Sequence, residues 1–144
     1  MLSTLFTPGR RLFTTSALAT LGVAALHTYG ASRPIPAVID AVAQTMQNTA
    51  LDLGFGMTPS LWDLHQSLAY TMGITLAVMA LLGLVLAGTA ESTSRVLSRM
   101  AAVMTTGCIA LTALCWIYRV PPPLISFAIL SLLWGVSQRT TRLA

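Results

Sequence analysis

Residues 68–87 read Leu-Ala-Tyr-Thr-Met-Gly-Ile-Thr-Leu-Ala-Val-Met-Ala-Leu-Leu-Gly-Leu-Val-Leu-Ala, without a single charge. A helix of about 20 apolar residues matches the hydrocarbon thickness of a bilayer. Just upstream, Ser60 is a good N-cap, and Asp63 three residues later suits the first turn of a helix. The span therefore occupies about 60–87.

Composition extends this reading to the whole chain. Of 144 residues, 55% are hydrophobic and only 8% are charged, whereas soluble domains carry roughly 25% charged residues. There is too little charge to cover a soluble core, and lipid is the solvent that suits such a chain. Three further apolar runs follow at about 12–29, 100–118 and 123–137. The last is short and must tilt little or thin the bilayer. Residues 30–59 form the only long connection. In it Ser32-Arg33-Pro34-Ile35-Pro36 breaks the chain, and about 37–49 reads as an amphipathic helix. Val38, Ile39, Val42 and Met46 share one face of it, with Asp40, Gln44 and Gln47 elsewhere. Too short and polar to span, it suits the membrane interface. Leu53 to Pro59 is a turn-rich entry to the next helix. The expected fold is all-α: an antiparallel transmembrane four-helix bundle with this interfacial helix between spans one and two.

The net charge is +4 and all eight basic residues are arginine. They flank apolar runs singly or in pairs and form no stripe interleaved with aromatics, which excludes a nucleic-acid partner. Arg10, Arg11, Arg95, Arg99, Arg139 and Arg142 fall on one side, and only Arg33 and Arg119 on the other. That asymmetry places both termini in the cytoplasm. The absence of lysine fits a GC-rich bacterial genome, so the expected location is a bacterial inner membrane. The alternative is a mitochondrial inner membrane with a cleaved presequence, because Arg11-Leu12-Phe13-Thr14-Thr15-Ser16 resembles one and no acid precedes Asp40. In the short loop after the second span, Glu91 and Arg95 stand at i, i+4 and can pair.

Polar residues gather at the outer ends of the spans. Asp63, Gln66 and Tyr70 fall on one face of the second span, continued by the small residues Ala69, Gly73 and Ala77, which permit close helix packing. On the first span Ser16, Thr20, Val23 and His27 share a face. With Tyr118, these residues outline a candidate pocket of His27, Asp63, Gln66, Tyr70 and Tyr118. Its ligand is unknown, with quinone, lipid, haem and metal all open. His27 and His65 stand at similar depth and could ligate haem iron axially, or with Cys115 offer soft ligands to copper or zinc. Cys108 and Cys115, about 10 Å apart along one helix, cannot pair with each other. An anchoring belt explains the same residues, since Trp62, Tyr29 and Tyr118 are what a membrane interface attracts.

No charge lies deep in a span, as pumps and voltage sensors require, and the first span lacks the carboxylate of small multidrug exporters. No nucleophile–base pair or carboxylate pair is present for catalysis. The expected role is a non-enzymatic accessory or lipid-proximal protein, in a larger membrane complex or a homo-oligomer, with a ligand carrier as the alternative.

Three segments carry a family likeness: Gly22-Val23-Ala24-Ala25-Leu26-His27, Ser60-Leu61-Trp62-Asp63-Leu64 with Ser67, and Pro121-Pro122-Pro123-Leu124. With them the chain resembles a family of small bacterial integral membrane proteins with four spans. The resemblance implies a retained first helix and brings no activity or cofactor.

Overall fold

The computed structural model describes residues 8–54, 56–89, 93–117 and 119–143. Among these the chain is all-helical: α1 (Pro8–Ser32), α2 (Asp40–Asn48, led by a 3-10 turn over Ala37–Ile39), α3 (Leu61–Gly88), α4 (Ser94–Ile117) and α5 (Pro121–Leu143). Proline opens both α1 and α5, where its fixed φ suits a first helical residue and its missing N–H costs nothing. Pro34 then disfavours helical geometry at Arg33 and ends α1. α5 reaches 23 residues, longer than its apolar run, because the helix continues through Ser137-Gln138-Arg139-Thr140-Thr141-Arg142.

The α1–α3 connection is tied down by backbone bonds. Leu51 donates to the Pro59 carbonyl at 2.9 Å and Leu61 to the Thr49 carbonyl at 2.8 Å. Gly54 and Gly56 turn the chain between them with φ of 78° and 76°, a region that only glycine enters freely. α4 ends in a Schellman motif. Val120 N–H donates to the Cys115 carbonyl and Arg119 N–H to that of Trp116, with Arg119 left-handed at φ 55°.

The long helices pack antiparallel in the order α3–α1–α5–α4. α1 lies against α3 and α5, and α5 against α4, while the consecutive helices α3 and α4 barely meet. Arg10, at the start of α1, is 7% exposed. Its Nη2 donates to the Thr89 carbonyl at 3.1 Å, placing a cation on the C-terminal end of α3. At the centre of the row the Trp134 ring of α5 meets Phe13 of α1 edge-on, centroids 5.1 Å apart. Its Nε1 donates to Thr20 Oγ1 at 3.0 Å. Ser16 and Thr20 are fully buried, and each hydroxyl also donates to a carbonyl one turn back.

Of the four expected spans, two, α3 and α4, are long and apolar enough to cross a membrane. The mean hydropathy of α1 is lowered by its Thr, Ser and His residues, and that of α5 by the prolines that open it and the polar segment 137–142 that ends it. Only 28% of the most apolar stretch of α3 is buried, and 17% of that of α4. α5 presents Ile125, Ile129, Leu132 and Val136 outward, one apolar stripe at helical spacing. On α2, Val38, Ile39 and Val42 also face outward, while Ala43 is buried.

Candidate functional site

Toward the C-terminal end of α1, the three helices α1, α3 and α5 separate around a half-open cavity of about 400 Å³. Val23, Leu26 and His27 line it from α1, His65 and Ala69 from α3, and Ser126 and Phe127 from α5. Gly30 and Ala31 extend the wall without filling it, and a Cβ built on Gly30 meets nothing within 4 Å. Pro123 closes the end nearest the α4–α5 turn.

His27 reaches this cavity because it continues the face of Ser16, Thr20 and Val23, the buried face of α1. Its Nε2 is buried and has no hydrogen-bond partner. Leaving such a group unsatisfied costs about 1–3 kcal/mol, and a ligand atom that reached it from the cavity would remove that cost. A neutral imidazole nitrogen donates or accepts according to its tautomer, so the complementary ligand group is a carbonyl or a hydroxyl. His65 stands across the cavity from α3, exposed, with its ring against Trp62 at 5.6 Å between centroids. A second cleft of about 220 Å³ adjoins this one, reached by Arg33, Trp62, His65 and Gln66.

Of the five pocket residues expected from sequence, the four among the described residues are not brought together. His27 lines the cavity and Gln66 the adjoining cleft. Asp63 is exposed and committed to a capping box. Its backbone N–H donates to Ser60 Oγ at 3.1 Å, and its Oδ2 accepts from the Ser60 backbone N–H at 3.0 Å and hydroxyl at 2.7 Å. Tyr70 is 37% exposed, because the buried stripe of α3 runs through Gly73, Leu76, Ala80 and Gly83 and Tyr70 sits beside it. The inward stripe of Asp63, Gln66 and Tyr70 therefore holds only in part. Tyr118 lies outside the described residues. Of the packing residues, Gly73 is buried with Thr28 Oγ1 against it, while Ala69 and Ala77 are half-buried.

His65, which helical geometry turns away from the small-residue stripe of α3, nevertheless borders the same cavity as His27. Cys115 lies in a different cleft with Trp116, Arg119 and Leu124. Among the described residues no three His, Cys, Asp or Glu side chains are grouped to hold a metal, so the His27, His65 and Cys115 set is not assembled. Ser126 and Phe127 of α5 were missed by sequence reasoning. Their signal was their position one turn beyond the Pro121-Pro122-Pro123 hairpin, at the depth of His27.

No family model, curated protein or solved structure matches the chain.

Proposed function

We propose that this chain is a non-enzymatic multi-pass membrane protein whose four long helices cross the bilayer and whose outer end holds a small, largely apolar ligand. Ligand holding is supported by one residue: His27 lines a cavity whose other lining groups are mainly apolar, and its Nε2 is buried without a hydrogen-bond partner. A quinone or a lipid headgroup region supplies the needed carbonyl or hydroxyl together with apolar bulk. With His27 and His65 on one cavity, haem stays among the outcomes that an optical spectrum separates.

The membrane reading is supported by which side chains stay exposed. A soluble helix hides its apolar stripe, whereas α5 turns Ile125, Ile129, Leu132 and Val136 outward and buries Ser137 and Thr141. α1 does the same with Leu18 and Leu26 outside and Ser16 and Thr20 inside. Helices that turn their hydroxyls onto neighbours can cross lipid at a lower average hydropathy. On this reading the exposed Val38, Ile39 and Val42 of α2 rest in the outer interface. The arginine asymmetry orients both termini inward, in the inner membrane of a bacterium, in keeping with the resemblance to the small four-span family. Packing of Gly9, Arg10 and Phe13 into the core supports retention of α1 over removal as a presequence.

A second reading, an accessory subunit or homo-oligomer, draws on the row order of the helices. A row leaves α3 and α4 as two open edges on which a partner helix could lie.

Fusions test the membrane reading. Alkaline phosphatase inserted after Thr58 is expected to be active, and green fluorescent protein after Ala144 to fluoresce. Exchange of the two results would overturn the orientation. For the ligand, intact protein from mild detergent is weighed and its spectrum recorded, with His27→Ala beside it. The variant is expected to lose a mass that the parent carries.

A further inference from the structure

The opposite end of the molecule holds a second cavity, of about 420 Å³, between the start of α4 and the end of α5. We propose that it binds a phosphate group, the lipid-borne form of which rests on the membrane reading above.

Its wall is Ser94, Arg95, Ser98 and Arg99 from α4 and Thr141 and Arg142 from α5. Arg95 and Arg99 stand at i, i+4 on α4, a spacing at which like charges repel, and Arg142 adds a third from the neighbouring helix. Arg142 is steered into place: its Nε donates to Ser98 Oγ at 3.3 Å, and that hydroxyl donates to the Gln138 carbonyl at 3.4 Å. Ser98 is only 5% exposed, so the guanidinium is anchored through Nε while its two terminal nitrogens remain for another partner.

No described carboxylate answers this charge. Of the four acids in the chain, Asp40, Asp52 and Asp63 lie at the far end of α3, each engaged locally by Gln44, Gly54 and Ser60. Glu91, outside the described residues, is a single carboxylate against three guanidiniums. Several guanidiniums around one polar cavity suit a tetrahedral oxyanion, because each planar fork can donate two parallel hydrogen bonds. Topology alone asks only that arginines lie on this side. It does not ask that three of the six converge on one cavity while Arg139 points elsewhere.

That contrast makes Arg139 the internal control. The full chain in neutral detergent is offered phosphatidylglycerol, phosphatidylcholine and inorganic phosphate in turn, and retention is read by native mass spectrometry and titration calorimetry. Arg142→Gln is expected to weaken binding about ten-fold or more, and Arg139→Gln less than about two-fold. Arg142→Lys keeps the charge but loses the fork, and is expected to fall near Arg142→Gln. Arg95→Gln, at an exposed position, repeats the loss should the Arg142 variants fold poorly. Selective retention of phosphatidylglycerol with this pattern assigns the phosphate to a lipid of the inner leaflet. Binding of inorganic phosphate with the same pattern and no lipid preference assigns it to a soluble ester. Equal losses in Arg139→Gln and Arg142→Gln, or no retention of either probe, would overturn the proposal.

Discussion

The two ends of the α1–α5 contact are built from the same pair of helices and behave oppositely. At the end near the chain termini Gly9 lies so close to α5 that a Cβ there would stand 2.9 Å from the Thr140 carbonyl oxygen, and Trp134 fills the space between Phe13 and Thr20. At the opposite end Gly30 faces open space and borders a cavity. Among the described residues each end also has one buried polar side-chain atom without a partner, Ser137 Oγ at the first and His27 Nε2 at the second. Ser137 is wholly buried and lines neither cavity, so its hydroxyl is a packing cost. His27 borders a space large enough for a ligand. An orphan group points to function only where there is room for what would satisfy it.

Substitutions can break this contrast. The largest effect belongs to Trp134→Ala, which removes the central ring and leaves Thr20 Oγ1 without its donor. A loss of about 3–5 kcal/mol is expected, read by denaturant titration in detergent, with the cavity beside His27 unchanged. Next is a matched pair of glycines. Gly9→Val must push α5 away and is expected to cost about 1–3 kcal/mol. Gly30→Leu grows into vacant space, should shift stability by less than about 0.5 kcal/mol, and should expel the ligand. Equal destabilisation by the two would erase the difference between the ends.

Asp63→Ala separates a cap from a site. It removes the capping box and should cost about 0.5–2 kcal/mol while ligand retention stays at the parent level. The smallest effect lies at the α4–α5 turn. A non-glycine residue in left-handed geometry carries about 1 kcal/mol of strain, so Arg119→Gly should raise the unfolding midpoint slightly and leave both cavities as they are.

The helical character of the chain was legible because apolar runs of fixed length need no tertiary context. So was the inward face of α1, since Ser16, Thr20, Val23 and His27 recur at helical spacing. The order of the helices was not. Periodicity tells which face of α3 is small, but not that α1 would take the middle of the row and leave α4 apart from α3. Asp63 and Tyr70 were misplaced for the same reason: a stripe drawn at 100° per residue ignores that the buried line passes through Leu76 and Gly83 instead. Asp63 also carried its structural role in plain view, as the third residue after Ser60. That His65 borders the same cavity as His27 depends on how three helices are placed, which no single-helix projection contains. The average hydropathy of α1 and α5 does not record that Ser16, Thr20, Ser137 and Thr141 are buried.

The most direct test of the ligand-holding claim is native mass spectrometry of the parent protein, His27→Ala and Gly30→Leu, released from mild detergent beside their optical spectra. The account predicts one stoichiometric non-protein mass on the parent, lost in both variants while each still unfolds as the parent does. A parent that weighs as bare polypeptide, or a bound mass that both variants retain, would contradict it.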